Sequence, residues 1–244
     1  YAYCTHGVLS GKAVERIQKS SLKSMVVTDS IAPTPAQQAC PNIRTITIAP
    51  LLGEAMRRYW MPALLSEELP EPDCAPVRVG LLGEKLIAFR DTNGKVGIMD
   101  HRCPHRCASM ALARNEGNGL RCIFHGWKVD VCGKVVDVPT EQPDRREAFA
   151  AKVPVTYYPS QEAGGLVWVY MGKRKTPPKF YNFEFHEPPA EAIVRCAIVK
   201  GNWLQGVEGD IDTSHLYFLH GRLNLDVDPQ LNGRPGIRGF FNLD

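Results

Sequence analysis

Hydrophobic and polar residues change their spacing near residue 50 of this chain. Before that point the sequence shows little periodicity, and DSIAPTPAQQACPN (29–42) is rich in Pro, Ala and polar residues. Such a composition favours disorder, so residues 1–48 are expected to form a disordered or loosely attached segment. From Pro50, LLGEAMRRYWMPALL predicts a short helix that stops before Pro62, because proline opens helices well but cannot continue them.

Short apolar runs typical of β-strands follow this helix. LIAFR and KVGIMD flank Asn93-Gly94, a dipeptide that tight hairpin turns prefer because both residues tolerate positive φ. Further strands are predicted at KVDV and KVVDV, on either side of Cys132-Gly133, and at LVWVYM. Several short strands joined by turns predict a small antiparallel β domain. After the basic linker KRKTPPKF, a new unit is expected to begin with the strand-like AIVRCAIVK.

Composition and charge narrow the range of partners. The 244 residues are 44% hydrophobic and carry a net charge of only +3, with both signs interspersed, so nucleic acid is not an expected partner. No apolar run approaches the roughly 18 residues of a membrane span, and no signal peptide is visible. The eight cysteines are too few for a dense disulfide scaffold in a chain of this length. A cytoplasmic, membrane-free location is therefore expected.

Two pairs of candidate metal ligands stand between predicted strands. Cys103 and His105 lie in CPHR, Cys122 and His125 lie in CIFHGW, and sixteen residues separate the pairs. A structural zinc site is one interpretation, but zinc motifs usually space their cysteines two to four residues apart so that both reach one ion. Two Cys/His pairs suit a two-iron cluster better, with both thiolates on one iron and both imidazoles on the other. Such ligation makes the cluster less negative and raises its reduction potential.

These motifs carry a family resemblance. CPHR and CIFHGW resemble the Rieske domain of the non-heme iron aromatic-ring hydroxylating oxygenases. The sequence from RRYWMPALLSEELPEPDCAPVRV to HGWKVDVCGKVVDVPTEQ is similar to that of the large (oxygenase) subunit of the phthalate 4,5-dioxygenase type. The resemblance implies an α+β fold, with an antiparallel β Rieske [2Fe-2S] domain over 49–175 and the start of a helix-grip-like α+β catalytic domain over 176–244. The C-terminal part of that catalytic domain is expected to be missing.

Two cysteines depart from the family's pattern. Cys107 stands where the family commonly has the glycine of CPHRGAS, and Cys132 replaces an acidic or other turn residue. A glycine at the first position supplies a backbone angle that cysteine adopts only with strain. The cluster loops of respiratory-chain Rieske proteins are joined by a disulfide, but those proteins use a different spacing. Free thiols are therefore the favoured interpretation here.

A second constellation follows in EGDIDTSHLYFLH. On a helix, Glu208, Asp212 and His215 would lie at i, i+4 and i+7 and share one face. His220 would reach the same ion only if the helix ended or bulged before it. Taken alone, the pattern is more often an amphipathic helix with solvated acids and unrelated histidines.

The resemblance gives these residues specific roles. It implies that His215 and His220 bind a mononuclear Fe(II), in the two-histidine, one-carboxylate manner used for oxygen activation, with the carboxylate ligand beyond this chain. Asp212 would be the catalytic bridge that passes electrons from His125 of a neighbouring subunit to the iron. Two further residues, Asn202 and Glu208, match positions near that iron.

The implied function is that of the oxygenase component of a multicomponent system. An NADH-dependent flavin and iron–sulfur reductase would supply electrons, and O2 would be used to hydroxylate an aromatic carboxylate such as phthalate. The subunits would form a homotrimer or a multiple of one. Two alternatives stay open: an O-demethylase of methoxybenzoates, which shares much of this text, and a Rieske electron carrier without catalysis of its own.

Overall fold

The computed structural model describes residues 1–187, 193–197, 199–201 and 203–212. The chain divides into two compact units. Unit 1 holds Tyr1–Ile48 together with the described residues from 199 onward, and unit 2 holds Ala49–Ala197. Within these ranges, no helix is both long enough and apolar enough to cross a membrane.

Unit 1 contains a three-stranded parallel sheet. Its strands are β1 (Ala2–His6), β2 (Met25–Thr28) and β3 (Ile43–Ile46), hydrogen-bonded in that order. Helices α1 (Ala13–Lys19) and α2 (Pro35–Ala39) connect them, as parallel neighbours require a crossover. The structure thus differs from the expectation that residues 1–48 are disordered.

Local hydrogen bonds order the Pro- and Ala-rich stretch. Thr34 and Gln37 form a capping box on α2, in which each side chain accepts a hydrogen bond from the other residue's backbone N–H. Gln37 is buried, and its Nε2 donates to the carbonyl of Gly7 at 2.8 Å. The prediction of disorder was based on amino-acid composition, which carries no information about such specific hydrogen bonds.

Unit 2 is built mainly from short strands. They are β4 (Trp60–Leu65), β5 (Val77–Leu81), β6 (Glu84–Arg90), β7 (Val96–Asp100), β8 (Arg114–Asn115), β9 (Leu120–Arg121), β10 (Lys128–Val129), β11 (Val135–Asp137), β12 (Tyr157–Tyr158), β13 (Ser160–Ala163) and β14 (Leu166–Tyr170). In unit 2 the described strands form three antiparallel sheets, ordered β13-β14-β4, β12-β7-β6-β5 and β11-β10-β9-β8. The predicted antiparallel β domain is confirmed.

The predicted helix at the start of unit 2 is too long. Helix α3 spans only Ala49–Met56, and β4 begins at Trp60 and includes Pro62. Proline is tolerated there because, among the described strands, β4 pairs only with β14 and its register shifts between Leu64 and Pro62. The prediction treated proline as a helix stop and overlooked an edge strand that could accept it.

Two hairpin turns in unit 2 share one design. Asp91 and Asp130 each accept hydrogen bonds from the backbone N–H groups two and four residues further on, at 2.8–3.0 Å. Gly94 and Gly133 take the positive φ that each turn needs, at 79° and 74°. Cys132 precedes the second of these glycines, is exposed and is a free thiol. Its replacement of a more usual turn residue is therefore compatible with the turn.

Strands β6 and β7 lie between the two apolar cores of unit 2. Successive side chains along each strand point into different cores. Ile87 and Phe89 enter a core that also contains Cys103 and Cys122, whereas Leu86 enters a second core with β4 and β14. All of these side chains are nearly inaccessible to water. Fully burying one large apolar side chain contributes about 1.5–3 kcal/mol. The loops that follow β7 and β9 are therefore anchored on a rigid support.

The remaining helices are short. Helix α4 (Arg146–Ala150) belongs to unit 2, and α5 (Trp203–Ile211) belongs to unit 1. The strand predicted in AIVRCAIVK is not found at residues 193–197 and 199–200, the described part of that segment. Its apolar residues are largely exposed there, with Val199 86% accessible. β-propensity is realised only when such a segment finds a strand to pair with.

Candidate metal centre

Two loops of unit 2 present the four candidate ligands. The first loop follows β7 and contains Cys103 and His105. Its backbone is closed by two hydrogen bonds: the N–H of Cys103 donates to the carbonyl of Ala108 at 2.8 Å, and the N–H of Cys107 donates to the carbonyl of Cys103 at 3.0 Å. The cysteine thus lies at the base of a tight loop, with the histidine towards its tip.

The second loop, between β9 and β10, repeats this pattern. The N–H of Cys122 donates to the carbonyl of Trp127 at 2.8 Å, and the N–H of Gly126 donates to the carbonyl of Cys122 at 3.0 Å. The two loops therefore have the same backbone closure, although their histidines lie two and three residues after the cysteine.

Both loops require a left-handed backbone four residues after the ligand cysteine. Gly126 has φ of +75° and Cys107 has φ of +56°. The structure therefore places Cys107 in the conformation for which glycine is suited, as the departure from the family's pattern predicted. Cys107 is exposed and free, and so is Cys132, in agreement with the favoured interpretation of free thiols.

The two ligand cysteines are buried and lie together. Cys103 is 3% exposed and Cys122 is 2% exposed. Burial raises the pKa of the Cys103 thiol to about 11, and the neighbouring Cys122 side chain acts in the same direction. Backbone N–H groups of His105 and Arg106 point at the Cys103 sulfur and act in the opposite direction. A bound metal ion is what would hold these thiols as thiolates at neutral pH.

The two candidate ligand histidines also lie together. The ring centroids of His105 and His125 are 4.5 Å apart, with their planes at 78°. His105 Nδ1 is buried and has no hydrogen-bond partner, which is costly unless the atom has another ligand. Burial, together with the electrostatic influence of His125 and Arg106, lowers the pKa of His105. This favours the neutral imidazole that binds metal.

The ligands pair by chemical type. Thiol lies beside thiol and imidazole beside imidazole. Across the part of the chain that the structure describes, no three His, Cys, Asp or Glu side chains are placed to hold a single ion. A structural zinc site would gather four ligands around one ion. The donor set fits instead a two-metal group with a thiolate end and an imidazole end.

Arg121 fastens the second loop to its surroundings. Its Nη1 donates to the Gly126 carbonyl at 2.6 Å and to Asp137 Oδ2 at 2.8 Å, while Nε donates to Glu116 Oε1 at 2.7 Å. The hydrogen bond to Asp137 raises the pKa of Arg121, so it stays charged. Sequence analysis overlooked Arg121, because nothing in the local pattern distinguishes it from other arginines near a turn.

The two loops lie in a domain that matches a known family model. Residues 59–159 match the Rieske [2Fe-2S] domain. The oxygenase subunit of 3-chlorobenzoate-3,4-dioxygenase from Comamonas testosteroni is 51% identical over 180 residues, which make up 73% of this chain and 41% of the relative. The chain contains a Rieske [2Fe-2S] domain and is similar to the oxygenase subunits of Rieske oxygenases. The resemblance drawn from CPHR and CIFHGW is confirmed.

Two further oxygenase subunits are similar to this chain. The phthalate 4,5-dioxygenase oxygenase subunit of Pseudomonas putida is 47% identical, over 69% of this chain and 38% of the relative. The 5,5'-dehydrodivanillate O-demethylase oxygenase subunit of Sphingobium sp. is 36% identical, over 77% of this chain and 43% of the relative. The chain spans less than half the length of each of these relatives.

The N-terminal segment has a match of a different kind. Residues 1–67 match the phosphoribosyl synthetase-associated domain, although residues 1–48 show little periodicity. The match includes the whole parallel sheet of unit 1 and overlaps the Rieske match at residues 59–67. Parallel strands joined by helices thus precede the antiparallel strands of the Rieske domain.

The second constellation is only partly described. Asn202, His215 and His220 lie outside the described residues. Glu208 lies in α5, and the N–H of Asp212 donates to its carbonyl at 3.0 Å, so the expected helical spacing of these two residues is present. The Glu208 side chain is paired with a residue that sequence analysis did not consider: His6 Nε2 lies 2.8 Å from Glu208 Oε1.

His6 also connects α5 to the sheet of unit 1. Its Nδ1 lies 2.7 Å from Ser30 Oγ, and Ser30 is buried. The contact between His6 and Glu208 joins residues 202 positions apart in the sequence. No local motif signals such a pairing, which explains why it was not predicted.

Proposed function

We propose that Cys103 and Cys122 bind one iron and His105 and His125 the other iron of a Rieske [2Fe-2S] cluster. The pairing of thiol with thiol and imidazole with imidazole at two matching loops is the observation that carries this assignment. The buried, unpartnered Nδ1 of His105 supports it, because coordination would satisfy that atom. The cluster, when bound, supplies one-electron transfer at a raised potential.

The protein residues around the cluster hold it and limit access to it. Backbone N–H groups at Cys103 stabilise negative charge on sulfur, and burial of both cysteines excludes water from the thiolate end. The imidazole end is closer to the surface, where Ile123 and Phe124 beside His125 are more than half exposed. Electrons would therefore enter and leave at the histidine side.

We infer further that the full protein is the oxygenase component of an aromatic-ring hydroxylating system. His215 and His220 would bind a mononuclear Fe(II) that uses O2, and Asp212 would carry electrons to it from His125 of a neighbouring subunit in a homotrimer or a multiple of one. An NADH-dependent flavin and iron–sulfur reductase would be the electron donor. Chlorobenzoate and phthalate are named for the two relatives at 51% and 47% identity, so an aromatic carboxylate is the proposed substrate class.

O-demethylation is the second candidate function. The relative from Sphingobium sp. is named as an O-demethylase and matches 77% of this chain. Both reactions use the same cluster, and they differ in how the substrate is placed at the mononuclear iron. Incubating the full protein with its reductase, NADH and either phthalate or a methoxybenzoate separates them, since only demethylation releases formaldehyde.

The cluster assignment is tested by metal and sulfide analysis of anaerobically prepared protein. We expect the Cys122→Ser variant to lose its acid-labile sulfide and the Rieske EPR signal of the reduced state, while the matched Cys132→Ser variant keeps both. About two irons and two sulfides per chain would indicate the cluster alone, and about three irons to two sulfides would add the mononuclear site. Zinc without sulfide in the wild-type chain would refute the proposal.

A further inference from the structure

We infer that Trp127 is a positioning residue for the His105 imidazole, an inference that rests on the proposed role of His105 as a cluster ligand. The indole and imidazole rings are stacked, with centroids 4.6 Å apart and planes at 8°. The rings of His105 and His125 meet edge to face at the same time. The plane of His105 is therefore set by two neighbours, one of them a ring that takes no part in ligation.

Trp127 is itself held in place from several directions. Its side chain is 5% exposed, and its Nε1 donates to Thr140 Oγ1 at 2.9 Å. Phe149 of α4 meets the indole edge to face at 5.7 Å. Two contacts thus prevent the indole from rotating, and the stacked imidazole is constrained with it.

Trp127 also connects the two cluster loops. Its carbonyl accepts the hydrogen bond from the N–H of Cys122, which closes the second loop, whereas its side chain packs on His105 of the first loop. One residue therefore couples the thiolate side of one loop to the imidazole side of the other. Neighbours of this kind orient metal-bound imidazoles and tune the metal, and loss of such a residue alters the site even when the ligands remain.

Stacking on Trp127 fixes the plane of the His105 ring independently of any hydrogen bond from its second nitrogen. In most metal sites a hydrogen bond from the second ring nitrogen fixes the orientation of a ligand histidine. The Nδ1 of His105 is the nitrogen proposed to bind iron, so it donates no such bond, and the plane of the ring is set by Trp127. A cavity of about 530 Å³ borders His105, Trp127, Thr140 and Phe149. Loss of the indole would enlarge this cavity and bring water to the ligand.

The test compares Trp127 variants with a matched tryptophan elsewhere in unit 2. Trp168 is suitable, because its Nε1 is also hydrogen-bonded, to the Ala163 carbonyl at 3.0 Å, and its ring also meets aromatic neighbours. None of its ring contacts among the described residues involves a proposed cluster ligand. Each variant of the whole chain is prepared without air and assayed for iron and sulfide. The EPR g values and the midpoint potential of the reduced cluster are then measured.

We expect Trp127→Leu to shift the g values and the potential while two irons and two sulfides are retained. Trp127→Phe, which can still stack, should restore most of the wild-type spectrum, and Trp168→Leu should leave it unchanged. Unchanged g values and potential in a fully loaded Trp127→Leu protein would overturn the inference. If that variant loses the cluster, Thr140→Val is tested instead, because it removes only the hydrogen bond that holds the indole of Trp127. A broadened spectrum then supports the inference, and an unchanged one overturns it.

The wild-type spectrum separates this inference from the cluster assignment. A wild-type chain that lacks the Rieske signal refutes the proposed ligand set, and the role of Trp127 with it. A wild-type chain with the signal and a Trp127→Leu variant with an identical signal refute only the positioning role.

Discussion

At the scale of single residues, the cluster loops depend on backbone conformation as much as on ligands. Both loops turn through a left-handed residue, which is Gly126 in one and Cys107 in the other. A non-glycine residue pays about 1–2 kcal/mol for this conformation, because its Cβ crowds the following carbonyl. Glycine loses somewhat more chain entropy on folding, which offsets part of that difference.

Cys107→Gly is therefore expected to raise the free energy of unfolding by about 0.5–1 kcal/mol. The urea midpoint of the chain, followed by tryptophan fluorescence, measures the change. Cys132→Gly is the matched control, since Cys132 is equally exposed and free but does not have a positive φ. The Cys132→Gly variant should lower the urea midpoint slightly, because glycine loses more chain entropy on folding. A midpoint for Cys107→Gly below that of the wild type would show that the cysteine is not strained.

At the scale of elements, unit 2 is held together partly by ion pairs between sheets. Arg90 at the end of β6 binds Glu162 of β13 through two hydrogen bonds, at 2.6 and 2.7 Å. The hydrogen bond from Arg90 lowers the pKa of Glu162 below its ordinary value of 4.5. Arg90 also donates to the carbonyl of Leu69 at 2.7 Å, so it stays in place when the carboxylate is neutralised.

This pair predicts a pH dependence of stability. Because the pKa of Glu162 is lowered in the folded state, the pair stabilises unit 2 fully above about pH 4.5 and loses its effect as the pH falls through the lowered pKa. Glu162→Gln should lower the urea midpoint at neutral pH and show a smaller further loss on acidification. Glu67→Gln serves as the control, since Glu67 is an exposed carboxylate of the same unit. Parallel acid profiles of wild type and Glu162→Gln would contradict the prediction.

At the scale of the whole molecule, the two units have different architectures. Unit 1 is a parallel sheet with connecting helices, whereas unit 2 contains the antiparallel sheets and all four proposed cluster ligands. Both apolar cores that support the cluster loops also lie in unit 2. The cluster should therefore depend on unit 2 alone.

A polypeptide of residues 49–187 is accordingly expected to fold and to bind the same iron and sulfide per chain as the full sequence. Its reduced EPR spectrum should match that of the full chain, since each proposed ligand and its supporting core are retained. Anaerobic preparation followed by metal, sulfide and EPR analysis measures this. Loss of the cluster from the shorter polypeptide would show that unit 1 contributes to the site.

The sequence by itself indicated the proposed ligand set, the strands of unit 2 and the Rieske domain. Cys103, His105, Cys122 and His125 could be proposed as ligands because metal ligation depends on residue type and short spacing. Alternating apolar residues likewise signalled β6 and β7, whose side chains point into two cores.

Only the tertiary structure decided how distant residues meet. Two contacts join residues that lie apart in the chain: Trp127 stacks on His105, and His6 pairs with Glu208. The edge position of β4 likewise depends on its pairing with the distant strand β14. The order of residues 1–48 likewise depends on Gln37 reaching Gly7 across thirty positions. Such contacts form only when the folded chain brings distant segments together. A short window of sequence contains only one of the two partners, so it could not reveal them.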